Sequence, residues 1–280
     1  MTCSLATFHE SDGATIASAD EQATLPASNL LLRTPFDRWR TLAASGQVTI
    51  TYGAAFAVSQ IVMLYTNATA ACTIRVRAGT NTTTVTSAPD FDSGTLAHRP
   101  GSRDWSSFAR NHFLLDLSAS ITKACWRIDV NQVSGATYYE AGRIGLLSPW
   151  RPSRGVDWGD RFSPVDLTTR RRSRNGTGHV VRGGLYREVE LSLATQTESE
   201  FMVTAGDLRR RVESRVPLFY AKAPRALSLG AASTGGVTMY TDDDLMDQAV
   251  YAYLAAPFYT LSERAQLRRM RVQLEEVVHP

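Results

Sequence analysis

A chain of 280 residues, 43% of them hydrophobic, exceeds the usual single-domain size and holds enough apolar side chains for a sizeable core. A formal charge of +3 spread along the chain excludes the clustered basic surface of a strong nucleic-acid binder. No segment approaches the roughly 18 consecutive apolar residues that a membrane-crossing helix needs.

Residues 1–20 are polar and acidic, without the basic start and apolar run of a secretory signal, which predicts folding in a cytoplasm. The cysteines, Cys3, Cys72 and Cys125, are few and odd in number, against a disulfide framework; the last two lie in apolar runs and read as buried thiols. From Gln47 the pattern has period two: Val48, Ile50 and Tyr52 alternate with Thr49 and Thr51, as in a half-buried strand. Val58–Tyr65, Thr73–Ala78, Asn111–Leu117, Cys125–Val130 and Tyr138–Leu147 read as further short strands. Turn clusters at Ala78–Asn81, Ala88–Gly94, Arg99–Asp104 and Asn131–Gly135 separate them. Short strands so spaced, with almost no helical periodicity, predict an antiparallel sandwich or jelly roll.

Pro149, Pro152 and Pro164, with Gly155 and Gly159, predict no regular structure between Ser148 and Pro164, while Trp150 and Trp158 imply that this seam is packed. Beyond it, Asn175-Gly176 marks a turn after the basic run Arg170–Arg174, and Tyr186–Leu193 alternates as a strand. Thr197–Val212 predicts the main helix, with Thr197 as N-cap, Glu198 and Glu200 in its first turn and Arg209–Arg211 in its last. Val216–Tyr220 reads as a strand. Met270, Val272 and Leu274 alternate as a terminal strand, although Leu261–Val272 also fits a helix.

No phosphate loop, HExxH, CxxC or G-x-S-x-G occurs. His9, His98, His112, His179 and His279 are isolated, so no metal site is assigned. Asp242–Asp244, and Asp90 with Asp92 in a loop, would suit a hard cation, but the former lacks the spacing of a calcium loop and reads as a solvated turn and helix cap. Arg170–Arg174 could meet phosphates yet lacks interleaved aromatics, and reads as a solvated or subunit-facing loop. Tyr251, Tyr253, Phe258 and Tyr259 could stack on a sugar, but their alternation suits packing. No catalytic, cofactor-binding or metal-binding residue is assigned, and no cofactor.

Pro26–Leu30, Pro35–Arg40, Thr73–Arg77 and Tyr139–Arg143, the last leading into Trp150–Pro152, come in an order that resembles tail-tip or baseplate proteins (distal-tail-like minor tail proteins) of long-tailed bacteriophages and prophages, over about residues 20–155. The second half is similar in outline. The resemblance implies a galactose-binding-like (discoidin-type) jelly roll, a fold name from which sugar binding does not follow. In it Asn29 would make an Asx-type turn that drops Leu30–Leu32 onto the sandwich, and Trp39 would plug the sandwich edge or simply join its core.

The expectation is therefore a mainly β protein: an N-terminal arm (1–18), a jelly-roll sandwich (19–150), a Pro/Trp/Arg-rich connecting segment (151–180), and a smaller β-rich α+β assembly domain with one main helix (181–280). The resemblance implies a non-enzymatic virion component. It would be made in the bacterial host cytoplasm, assemble in several copies as a ring around the tail axis, and join tail-tube, hub or fibre proteins. No nucleic acid is expected as a specific ligand. The alternative is a carbohydrate-binding module for host glycans, with Trp105 and Trp158 as its aromatic candidates. A cell-wall hydrolase would need paired carboxylates at a cleft, and no pair stands out.

Overall fold

A computed structural model describes residues 3–69, 71–98, 111–132, 137–153, 156, 161–166, 168–172, 178–181, 185–197, 200, 206–212, 216–222, 237–239, 249–255, 259–264 and 267–277. In chain order the elements are β1 (Cys3–Thr7), α1 (His9–Asp12), β2 (Thr15–Ala17), a 3-10 turn (Ala27–Leu31), β3 (Trp39–Arg40), β4 (Ser45–Leu64), β5 (Cys72–Gly79), α2 (Thr82–Ser87), β6 (Phe91–Ala97), β7 (Phe113–Gln132), β8 (Glu140–Ala141) and β9 (Arg143–Leu147). There follow β10 (Arg161–Asp166), β11 (Thr169–Arg172), β12 (Gly178–Val181), β13 (Leu185–Thr197), α3 (Gly206–Val212), β14 (Leu218–Lys222), β15 (Val237–Met239), β16 (Val250–Leu254), β17 (Tyr259–Arg264) and β18 (Leu267–Glu276). The protein is mainly β.

The chain forms two compact units: residues 6–149 with 223–249, and residues 1–5 with 150–222 and 250–280. It therefore passes from one to the other after Leu5, Pro149, Lys222 and Ala249. The residues first expected to form an arm contain β1, α1 and β2, with β1 buried throughout.

In the sandwich unit, β4 and β7 are each long enough to serve two layers. Their antiparallel ladder runs from Ser45↔Asn131 to Thr51↔Cys125, shifts register to a short stretch from Phe56↔Lys123 to Val58↔Ile121, and shifts again to run from Gln60↔Asp116 to Met63↔Phe113. The first stretch is flanked by β2, β5 and β6, the last by β9 and β15. Val48, Ile50, Trp126 and Ile128 from the first share one core with Ile61, Met63, Leu115 and Ile144 from the last, so these two stretches face each other as the layers of a sandwich. The runs expected as separate strands, 48–52 with 58–65 and 111–117 with 125–130, are thus single bent strands. Register breaks supply the bends, and no turn is needed.

Two local expectations also change. The cluster expected as a turn at 88–94 contains the start of β6, because Phe91 is an inward-facing core residue. After the turn at 78–81, the Thr-rich segment forms α2 despite weak propensity. Asn81 accepts from Thr83 and Thr84 amides while Thr84 Oγ1 accepts from the Asn81 amide, a complete capping box.

In the other unit one sheet runs β1-β14-β16-β18-β13-β10, with β17 also on β18. One face buries Val189, Leu191, Leu193, Met270, Val272 and Leu274, together with Leu208 and Val212 of α3. The terminal segment is a strand, which removes the helical alternative. Thr197 ends β13 and its Oγ1 accepts the amide of Glu200, itself helical, at 3.3 Å, as the expected N-cap would, and helix is described again over Gly206–Val212. Arg161–Asp166 is a strand inside the seam expected to be irregular. It tolerates Pro164 because β10 ends the sheet, where a missing N–H costs no ladder bond. Trp150 is tied in by paired backbone bonds to Leu5 at 2.8 and 2.9 Å, and its indole donates to Glu200.

Candidate functional site

The Tyr138–Leu147 stretch, β8 and β9, gathers most of the buried polar chemistry of the sandwich unit. β8 pairs with β3, setting Trp39 opposite Ala141 and Arg40 opposite Glu140. The Glu140 carboxylate, 8% exposed, accepts from both Arg38 and Arg40, and the Arg40 guanidinium lies 4.2 Å over the Tyr138 ring. The Glu140 amide donates to Asn67 Oδ1 at 2.7 Å. The Gln132 amide group donates to Asn67 and to the Tyr138 carbonyl. These groups satisfy one another. The cluster is a clamp that fixes the entering strand β3 to the closing strand β8.

Behind the clamp, Trp39 is fully buried and meets Tyr139 edge-on at 5.9 Å. It is a core residue at the β3–β8 edge, so both sequence expectations for it describe the same side chain. The Tyr139 hydroxyl lies 2.9 Å from His98 Nε2, and burial pushes its pKa well above the usual phenol value, keeping it neutral. Asn29 makes no Asx-type turn: its side-chain amide donates to the Arg38 carbonyl at 3.0 Å, holding the 3-10 turn against β3. Of the leucines it was expected to place, Leu30 is buried and Leu32 is 42% exposed.

Gly142 and Gly145 permit close approach. A Cβ at Gly142 would sit 2.4 Å from the Pro35 carbonyl oxygen, and one at Gly145 would sit 2.5 Å from the Phe8 ring. Between them Arg143 is fully buried, stacked 4.8 Å over Phe8 and paired with Asp12.

Asp90 and Asp92 each already face a basic side chain, and only Asp90 lies outside the strands. Asp92 lies on β6, paired with Arg75 and accepting the Gly94 amide, and Asp90 pairs with Lys123. Arg75 and Arg77 alternate outward along β5, and Arg77 and Arg127 share Asp129. Hydrogen bonding from Arg75 holds the Asp92 carboxyl below its ordinary 3.8. This stabilisation is complete above pH 3.8 and is lost as pH falls through the lower folded value. Asp92→Asn is expected to remove that acid-limb dependence and to cost at most about 1 kcal/mol at neutral pH, the range for an exposed pair, as read from urea midpoints at pH 2.5–7. An unchanged pH profile would show that Asp92 does not report the pair.

Among the described residues no group of three or more His, Cys, Asp or Glu side chains is arranged to hold a metal. No helix there is long and apolar enough to cross a membrane. Cys3, Cys72 and Cys125 are buried and form no disulfide among the described residues. Tyr251 is fully buried on β16 and Tyr253 partly so, which excludes Tyr251 from a sugar platform. Arg170–Arg172 form β11, paired with β12 around the expected turn. Trp105, Trp158, Asp242–Asp244 and Phe258 lie outside the described residues. The Glu140 clamp and the Arg75–Asp92 and Asp129 ion pairs were missed in the sequence, where only the outward Arg75/Arg77 alternation hinted at a charged strand face.

No protein-family model and no curated protein matches the chain. Among solved structures, the family 32 carbohydrate-binding module of C. perfringens NanJ, in complex with galactose, is 12% identical with a TM-score of 0.36, covering 51% of this chain and 99% of its own. A family 32 module of AlyQ, in complex with 4,5-unsaturated mannuronic acid, is 16% identical at 0.36, covering 48% and 93%. Reduced XRCC1 bound to the DNA polymerase β catalytic domain is 14% identical at 0.36, covering 48% and 94%. These values carry neither a ligand nor a partner across to this chain.

Proposed function

We propose that the chain is a non-enzymatic structural subunit of a phage tail tip or baseplate, present in several copies around the tail axis and joining the tail tube to distal tail parts. The observation that supports this most is the threading. The chain passes between its two units after Leu5, Pro149, Lys222 and Ala249, and β15 is contributed to the sandwich from beyond the first segments of the other sheet. A ligand-binding module appended to an enzyme needs one linker, whereas a part that must hold two modules together under strain gains from several covalent passes. The internally satisfied Glu140 clamp and the order of motifs over residues 20–155 point the same way.

The expected result is that the purified chain self-associates at high concentration. Intact particles should contain it by mass spectrometry and show it as a ring of density around the tube. A chain that stays monomeric and is absent from tail particles overturns the proposal.

A second reading, glycan binding by the sandwich, is favoured by Phe36, an aromatic side chain 37% exposed between the 3-10 turn and β3. It expects hits for the full chain on a glycan array that Phe36→Ala abolishes. An array with no signal above background removes it.

A further inference from the structure

The β10–β13 hairpin reaches beyond the sheet that anchors it. Its ladder runs from Arg161↔Glu190 to Asp166↔Leu185, and a second ladder, Thr169↔Val181 to Arg172↔Gly178, continues it after a shift of register. Among the described residues β11 and β12 pair only with each other. A two-stranded ribbon alone in water is marginal, so such an extension gains from a surface to lie on. Its strand β11 has the sequence Thr-Arg-Arg-Arg.

The polar face of the anchoring sheet carries a small excess of the opposite charge, Glu188, Glu190 and Glu275 against Arg161 and Arg271. Glu188 and Glu275 stand directly opposite each other on β13 and β18, both exposed, with Glu190 one step along the same face. Like charges facing across a ladder oppose pairing, and among the described residues neither Glu188 nor Glu275 has an ion-pair partner. A groove of about 300 Å³ lies here, lined by Glu188, Glu190, Gln273, Arg161 and Ser163. Arg161 of the same copy, opposite Glu190, offsets part of this charge, whereas the arm's Arg170 stands further along the ladder. Glu188 pairs with Ser163, and from there to Arg170 the ladder extends roughly 20 Å, more than twice the physiological screening length.

We propose that the β11–β12 arm, through Arg170, Arg171 and Arg172, docks on the Glu188–Glu275 face of a second copy of this chain. The contact is head-to-tail, so repetition gives a ring when the rotation closes and a filament when it does not. The proposal rests on the multi-copy reading above and specifies the surfaces it uses.

The test is sedentation of the full chain by analytical ultracentrifugation across concentration and salt. One variant carries Arg170→Glu, Arg171→Glu and Arg172→Glu, and a second carries Glu188→Lys and Glu275→Lys. Each reversal places like charges together and is expected to weaken self-association roughly 100-fold. Mixed in equal amounts, the two variants should recover assembly in alternating order, since the acidic arm of the first meets the basic face of the second and the basic arm of the second meets the acidic face of the first. Wild-type association should also weaken with salt. Circular dichroism checks folding, and if the arm reversal unfolds, the Arg→Gln version at the same three positions must still weaken association. Wild-type assembly that is unchanged in both folded variants overturns the arm docking and leaves the multi-copy reading standing. A monomeric wild type at high concentration overturns both.

Discussion

Trp39→Ala is expected to destabilise the sandwich unit by about 3–5 kcal/mol, the range for removing a fully buried indole. Trp39 is 0% exposed, lies edge-on to Tyr139, and stands on β3, whose partner β8 carries the Glu140 clamp. The loss therefore combines a cavity with a looser junction between β3 and β8. Trp39→Phe should cost clearly less, because it keeps an aromatic ring and removes an indole N–H that has no acceptor among the described residues. Urea midpoints followed by circular dichroism separate the two variants. A midpoint for Trp39→Ala within error of wild type would show that the buried ring does not organise this edge.

Glu276→Ala should damage the other unit by a comparable amount. Glu276 is 4% exposed and receives the Arg187 amide at 3.0 Å, its Nε at 3.1 Å and its Nη2 at 2.6 Å. Removing the carboxylate takes three hydrogen bonds and an adjacent opposite charge from the buried Arg187, which costs about 3–5 kcal/mol. The double variant Arg187→Met, Glu276→Leu should recover most of that loss, since it removes both buried charges together. Thermal unfolding of the three proteins decides between a charge effect and a packing effect. If the double variant is as unstable as Glu276→Ala, packing is the cause and the pair is incidental.

Much of the strand content was legible because half-buried strands leave a period-two trace in a few neighbouring residues. Val48, Ile50 and Tyr52, the 186–193 run, and Met270, Val272 and Leu274 all alternate, and all lie in strands with those residues inward. The terminal run was ambiguous on paper because 261–272 also fits a helical stripe. Pairing of β18 with β13, β16 and β17 resolved it, since three ladders satisfy its backbone groups from outside the segment. Pro164 stands in an edge strand where the sequence predicts a break, because a proline has the same local signature in both settings.

The candidate site was legible only in outline. The Tyr138–Pro152 stretch stands out in the sequence for its glycines and aromatics, and the close approaches at Gly142 and Gly145 follow from it. That Glu140 would be held by Arg38 and Arg40, about a hundred residues away, has no local signal. Nor does the pairing of Arg187 with Glu276.

Composition and periodicity alone pointed to a mainly β chain with buried thiols, because side-chain alternation and turn chemistry are properties of neighbouring residues. Which strands share a sheet was settled only on folding. β1 joins β14 across more than two hundred residues, β15 joins β7, and the β10–β13 hairpin outruns its sheet, because backbone hydrogen bonds recognise any extended partner regardless of sequence. Burial of one continuous apolar face selects among the partners that this leaves open.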